Sequence, residues 1–126
     1  VCELWAEDGR YDVGDGWVMH GHRDLRSMIA SKPHQGFIHG GSAHFVGPPI
    51  VRIDGDRAWA TSYSQLVLHR KDPEQHELWR TSANRWELRR TDDGWKITGR
   101  TSSVLDGRDI SRDILQAENN PTAPPQ

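Results

Sequence analysis

Two side chains, His44 and Arg100, are candidates for proton-transfer chemistry. His44 opens the otherwise apolar segment AHFVGPPIV, and an imidazole with a pKa of about 6.5 can accept a proton close to neutral pH. Arg100 lies in the run WKITGRTSS, and its fork of donors suits the charge of an enolate or a leaving group. The structural alternatives are a core histidine bonded to a backbone carbonyl and a surface arginine.

The direction of the Arg100 side chain depends on the phase of its strand. Trp95 and Ile97 share one face, and strict alternation would place Arg100 on the opposite face. Either the two apolar residues pack outward, under a helix or against another subunit, or a bulge near Gly99 shifts the phase.

A second strand offers a candidate pocket wall built from Asn84 and Trp86. By alternation they share a face with Ser82, Leu78 and Leu88, which is mostly apolar with two small polar groups. This composition fits a ligand pocket with a few placed hydrogen-bonding groups, and it fits a plain core almost as well. The arginines of this strand are interpreted mainly as a solvated sheet face, with a nucleic-acid stripe as the alternative: Arg80, Arg85, Arg89 and Arg90.

Four other side chains are further candidates to contact a ligand. Tyr11 and Trp17 flank the first hairpin, Met28 lies on the apolar stripe of the first helix, and Tyr63 can supply a phenol. Ordinary packing in the core is the alternative for each of them.

Histidines in the N-terminal half raise the alternative of a metal site. His20 and His22 have the spacing that places two side chains on one strand face, but Gly21 and His22 mark the entry to a helix. No glutamate completes a recognisable ligand pattern, and zinc takes three or four such ligands. We therefore predict no metal, and we assign His34 and His39 to a cavity rim or to hydrogen bonds within their loop.

Length and composition argue against several functions. The 126 residues suffice for one domain, and the net charge of −2 indicates neither nucleic acid nor an anionic membrane as a partner. Cys2 is the single cysteine, which excludes an intrachain disulfide and fits a reducing cytoplasm. The sequence contains no apolar run long enough to span a membrane and no visible signal peptide. It also lacks GxSxG and GxxxxGK motifs, which argues against nucleophilic hydrolysis and nucleotide binding.

The pattern of apolar residues and turn signals predicts an α+β chain with helices at one end of an antiparallel sheet. Strands of ten or more residues, one of them interrupted by Gly47-Pro48-Pro49, predict a bent sheet with a concave face. The predicted elements are a helix end over residues 1–6, strands over 10–13 and 17–19, a helix over 22–31, a loop over KPHQGFIHGG, strands over 43–53, 57–70, 76–90 and 95–105, and a short helix over 109–116.

Four segments together resemble a SnoaL-like domain of the nuclear transport factor two-like superfamily: AEDGRYDVGDG, GHRDL, AHFVGPPIVRIDGDRAWATSY and RWELRRTDDGWKITGR. The resemblance runs from about residue 5 to residue 107. It implies a cone, in which a strongly curved sheet wraps around a pocket that N-terminal helices close. Scytalone dehydratase and polyketide cyclases belong to the same superfamily.

The resemblance also implies a function. Relatives act on small hydrophobic molecules by proton transfer without a cofactor, and in the dehydratase-like members a histidine at the position of His44 works with an aspartate on the first helix. An arginine like Arg100 faces the pocket in the dehydrochlorinase-like members, and aromatics near Tyr11 and Trp17 line the cavity. The partner carboxylate of His44 is absent from this sequence, either because residues upstream of Val1 are missing or because it never existed.

We therefore expect one SnoaL-like domain over residues 1–116, lacking its first helix, and a disordered polar tail over 117–126. The expected function is cofactor-free acid–base catalysis on a hydrophobic ring compound, as a lyase or isomerase such as a dehydratase or cyclase. The alternative is a non-catalytic binding or structural subunit, because the ending GWKITGRTSSVLD also resembles the β subunit of aromatic-ring dioxygenases. In either case we expect a homodimer or homotrimer.

Overall fold

The computed structural model describes residues 1–116. Three helices and seven strands follow a short 3-10 helix at Cys2–Leu4. In chain order they are β1 (Trp5–Asp12), β2 (Val18–His20), α1 (Gly21–Ala30), α2 (Lys32–Gly40), β3 (Ser42–Val46), β4 (Ile50–Asp54), β5 (Arg57–Lys71), β6 (Glu74–Thr91), β7 (Gly94–Val104) and α3 (Asp109–Gln116).

The strands form one curved, unclosed sheet in the order β2-β1-β7-β6-β5-β3, with β4 also paired to β5. This α+β cone confirms the predicted fold class. The pairing of β1 with β7 is parallel, whereas every other pair in the described sheet is antiparallel, so the sheet is mixed. The sequence pattern did not predict the parallel pair, because it joins the two ends of the chain.

One edge of the sheet consists of two short strands, separated at the point where the prolines predicted a break. Strands β3 and β4 both pair with β5, and Gly47-Pro48-Pro49 separates them. The Gly47 amide still donates to the carbonyl oxygen of Tyr63 at 2.8 Å, but the prolines have no N–H to continue the ladder. The predicted bulge or edge is therefore confirmed.

Alternation along the paired strands divides the side chains into two faces. We call the face that carries α1 and α2 the inner face, and the face that carries α3 the outer face. Strand register aligns Ser62 with Asn84 and Ser102, and Ala60 with Trp86 and Arg100. It also places Leu66 opposite both His44 and Arg80. The inner face comprises His44, Val46, Ala60, Ser62, Ser64, Leu66, Arg80, Ser82, Asn84, Trp86, Arg100, Ser102, Val104 and Tyr11.

The first helix packs on the inner face through a small apolar cluster. Leu25 of α1 contacts Trp5 and Met19, and Met28 packs against the same group. The helix begins directly after β2 because Gly21 turns the chain with a φ of 71°, where a Cβ would lie 2.7 Å from the Glu7 carbonyl oxygen. The predicted helix over 22–31 is confirmed, with both ends one residue earlier.

Two predictions near the N-terminus were wrong. The segment KPHQGFIHGG forms α2 rather than a loop, because Pro33 lies in the first turn, where its missing N–H costs no hydrogen bond. The Gln35 side-chain amide donates to the Ile29 carbonyl at 2.7 Å and joins α2 to the end of α1. Residues 1–6 are not a helix end either, since a 3-10 turn gives way to strand β1 at Trp5.

The C-terminal helix α3 covers the outer face. The Ser111 hydroxyl donates to the Val104 carbonyl at 2.6 Å and lies 3.1 Å from the Ser103 hydroxyl. Arg85 is only 5% exposed and pairs with Glu87 at 3.7 Å, so it does not belong to a solvated face. The predicted helix over 109–116 is confirmed, and the predicted disordered tail lies outside the described residues.

Neither a membrane span nor a metal cluster is found in the described part of the chain. No helix within residues 1–116 is long and apolar enough to cross a membrane. No group of three or more His, Cys, Asp and Glu side chains in the same range could hold a metal ion.

Candidate functional site

Arg100 is clamped between two aromatic rings on the inner face. Its guanidinium carbon lies 4.2 Å from the centre of the Trp86 ring and 4.7 Å from that of Tyr11. Both distances lie within the range of cation–π attraction. The sandwich fixes the guanidinium plane and keeps its edge as the part that can meet a ligand.

Asn84 fixes the remaining freedom of the arginine. Its side-chain oxygen accepts from Nε of Arg100 at 3.2 Å and from Nη2 at 2.8 Å. Its side-chain nitrogen donates to the Ser64 hydroxyl at 2.9 Å, and Nε1 of Trp86 donates to the Ser62 hydroxyl at 3.2 Å. A chain of neutral groups therefore orients the cation without neutralising it.

A register shift explains why Arg100 points inward together with Ile97. Glu87 pairs with Gly99 and Leu88 pairs with Ile97, so Thr98 is an extra residue on β7. Ile97 packs against the Trp5 cluster, whereas Arg100 stacks on Trp86. Of the two explanations considered for the phase, the bulge near Gly99 is the one observed.

His44 lies on the inner face, within electrostatic range of Arg100. Burial lowers the pKa of His44 below its ordinary value of 6.5, and electrostatic interactions with Arg100 and His34 lower it further. Much of the imidazole is still exposed, and it makes no hydrogen bond within residues 1–116. The side chain is therefore neutral at pH 7 and accessible to a ligand.

Arg80 also belongs to this site, although the sequence pattern assigned it to a solvated face. Its Nε donates to the Ser82 hydroxyl at 3.1 Å, and its Nη2 lies 3.4 Å from the Val13 carbonyl oxygen. Burial lowers the pKa of Arg100, Tyr11 raises it, and the charge of Arg80 lowers it again. The even spacing of Arg80, Ser82, Asn84 and Trp86 along β6 is the signal that could have identified it.

The structure therefore brings together six of the nine candidates and leaves three elsewhere. His44, Arg100, Asn84, Trp86 and Tyr11 share the inner face, and His34 of α2 lies within electrostatic range of His44. Trp17 is 57% exposed and borders a separate surface depression with Met28. Tyr63 is 55% exposed and lies on the outer face, because it pairs with Ala83 rather than with Asn84.

The charges that Arg80 and Arg100 bring to the site are positive. No carboxylate within residues 1–116 makes a hydrogen bond or an ion pair with His44, Arg80 or Arg100. A neutral base can remove a proton from carbon, and an oriented guanidinium on the same face can stabilise the oxyanion that forms.

Comparison with known proteins identifies a family model and solved structures that this chain resembles in sequence and fold. The sequence model described as a SnoaL-like domain matches residues 1–101. An NTF2-like protein with a cystatin-like fold from Novosphingobium aromaticivorans shares 36% sequence identity with a TM-score of 0.87, over 91% of this chain and 73% of that protein. No curated protein gives a significant match.

Two more distant structures share the architecture. A protein of Novosphingobium aromaticivorans, described provisionally as an aromatic ring hydroxylase, has 26% identity and a TM-score of 0.59, over 83% of this chain and 72% of that one. ActVI-ORFA of Streptomyces coelicolor has 16% identity and a TM-score of 0.69, over 82% of this chain and 79% of that one, which shows the fold alone.

Proposed function

Because the chain belongs to the SnoaL-like family, we propose that it is a small-molecule lyase or isomerase acting by general acid–base catalysis on the inner face. The observation that carries this proposal is that an exposed His44 with a lowered pKa lies on the same face of the sheet as the oriented guanidinium of Arg100 and within its electrostatic range. The substrate is a hydrophobic ring compound with an acidic C–H bond next to a carbonyl group.

The mechanism begins with proton abstraction by His44. The imidazole takes the proton from carbon, and the electron pair of the C–H bond moves through the new C=C bond to the carbonyl oxygen. Donors of Arg100 stabilise the resulting enolate. In a dehydration, the enolate re-forms the carbonyl and breaks the C–O bond at the β carbon, and the departing hydroxyl takes the proton of the imidazolium and leaves as water. In an isomerisation, the enolate re-forms the carbonyl and takes that proton at another carbon of the conjugated system.

Hydrogen–deuterium exchange tests the first step without knowledge of the natural substrate. We expect the protein to accelerate exchange of the activated C–H protons of 2-tetralone, or of a ring-carboxylated tetralone, in deuterated buffer followed by proton NMR. His44→Gln should reduce the rate to that of buffer, and His39→Gln, a substitution of an exposed histidine on α2, should leave it unchanged. A His44→Gln protein with the wild-type rate would contradict the mechanism.

The second candidate function is a binding or structural subunit. It is favoured by the lack of a carboxylate partner for His44 within residues 1–116. In addition, the Novosphingobium protein that is 26% identical to this chain is described provisionally as an aromatic ring hydroxylase. In that case the protein would accelerate no exchange, and it would co-purify from its native cells with an iron-containing large subunit.

A further inference from the structure

Arg80 carries a positive charge that the described part of the protein holds in place but does not neutralise. Its hydrogen-bond acceptors within residues 1–116 are a hydroxyl, that of Ser82, and a backbone carbonyl, that of Val13. Its Nη1 makes no hydrogen bond in this range. Two acceptors on one edge fix the direction of the guanidinium and leave donors for another group.

A second cation lies close to Arg80 instead of an anion. The Arg80 charge lowers the pKa of Arg100, and Arg100 and His34 in turn act on His44. Like charges collected on a partly buried face repel each other, and the repulsion is relieved when an anion binds among them. Both arginines use Nε and Nη2 within the described residues, but Arg100 is also stacked between Trp86 and Tyr11, so Arg80 is the less confined of the two.

Apolar side chains lie around Arg80 on the inner face, together with the small hydroxyl residues Ser64 and Ser82. Leu66 pairs directly with it, and Val46 and Val104 lie in the neighbouring row of the sheet. These side chains suit the body of a hydrophobic molecule, and a guanidinium fork matches the two oxygens of a carboxylate.

We propose that Arg80 is the specificity residue of this site and that the ligand is an aromatic or alicyclic carboxylic acid whose carboxylate binds to Arg80. This inference rests on the proposed function, since it names the substrate class of the same site. Arg80 holds the carboxylate, and Arg100 remains available for the charge that develops during proton transfer.

Two probes of the same shape, one anionic and one neutral, separate the contribution of charge to binding from that of the ring. We expect isothermal titration calorimetry to show that 2-naphthoate binds about tenfold or more tightly than 2-naphthamide, because a charge-assisted bidentate contact is lost in the amide. Arg80→Met should equalise the two affinities, and Arg80→Lys should keep part of the preference. Arg89→Met, at an exposed arginine of the same strand, is the matched control and should behave as the wild type.

Several results would overturn the inference: equal affinities in the wild type, undetectable binding of both probes, or an intact preference for the acid in Arg80→Met. If Arg80→Met does not fold, the wild-type comparison and Arg80→Lys still decide. The His44→Gln protein separates the two proposals, because it should keep the acid preference while losing proton exchange. Exchange without acid preference would refute the role of Arg80 alone, and acid preference without exchange would refute the catalytic proposal alone.

Discussion

Asn84, a residue with 0% exposure, holds the guanidinium of Arg100 through two hydrogen bonds to one side-chain oxygen. A neutral amide in this position orients the arginine and preserves its full charge toward the interior of the cone. A carboxylate here would also have oriented the arginine, but it would have neutralised the charge that an enolate or an anionic ligand needs.

The first prediction concerns the stability that this amide provides. Asn84→Leu removes the acceptor of a largely buried cation and the donor to the Ser64 hydroxyl. We expect a loss of about 1–3 kcal/mol in the free energy of unfolding, because buried polar groups are left without partners. Urea denaturation measures this loss, and Ser64→Ala, which removes one hydrogen bond of the network, should cost less. An Asn84→Leu protein as stable as the wild type would contradict the proposed anchoring.

The second prediction concerns the charge state of His44. NMR titration should give His44 a pKa below 6.5, since burial, the charge of Arg100 and the interaction with His34 all disfavour the imidazolium. Arg100→Met should raise this pKa, and Arg89→Met should not change it. The acid limb of any His44-dependent exchange rate should follow the same pKa, because only the neutral imidazole accepts a proton.

The same shift predicts how stability depends on pH. The unfolded chain binds a proton at His44 more readily than the folded chain does, so protonation favours unfolding. The contribution of His44 to the free energy of unfolding should therefore fall as the pH decreases from 6.5 toward the lowered pKa of the folded state. Comparison of wild type with His44→Gln in urea across this window isolates the effect, and parallel curves would contradict the shift.

The sequence allowed the inner face to be predicted wherever strict alternation holds. Asn84 and Trp86 were placed together correctly because they are two residues apart on an unbroken stretch of β6. The phase of Arg100 could not be decided, because the extra residue at Thr98 is apparent only once β6 and β7 are paired. Local patterns fix alternation within one strand, whereas register between strands depends on tertiary packing.

Tyr63 and Arg80 show the same limit on predicting the face of a strand from sequence. Tyr63 was expected at the site because of its phenol, but register with Ala83 turns it to the outer face. Arg80 was interpreted, with the other arginines of its strand, as part of a solvated sheet face, yet it is half-buried and its side chain reaches the Val13 carbonyl oxygen on the inner face. Residue type alone favoured the wrong face in both cases.

The third prediction tests α2, the helix that glycine content had concealed. Gly36 lies inside the helix, and a Cβ there would meet nothing within 4 Å. Gly36→Ala should therefore stabilise the protein by about 0.5–1 kcal/mol through helix propensity and reduced freedom of the unfolded chain. A destabilising Gly36→Ala, measured by urea denaturation, would indicate that this segment is not helical.

Gly41, five residues further, is the matched control. It has a φ of 91°, and a Cβ would lie 3.1 Å from Cβ of His69. Gly41→Ala should destabilise the protein by about 1–3 kcal/mol, because the side chain is strained in this backbone conformation. Opposite signs for two identical substitutions cannot arise from a general effect of alanine.

The fourth prediction concerns the expected homodimer or homotrimer. Phe45 on β3 and Tyr63 on β5 are 58% and 55% exposed and lie on the outer face of adjacent strands. An apolar sheet surface of this kind is typical of an interface between subunits, because burial against a second copy removes it from water. Sedimentation velocity should detect a dimer or trimer for the wild type and a smaller species for the double substitution Phe45→Glu with Tyr63→Glu.

Arg112→Glu, on the exposed side of α3, controls for the added negative charge and should leave the assembly unchanged. A wild-type protein that sediments as a monomer at high micromolar concentration, or a double variant that keeps the wild-type mass, would show that this surface does not form the interface.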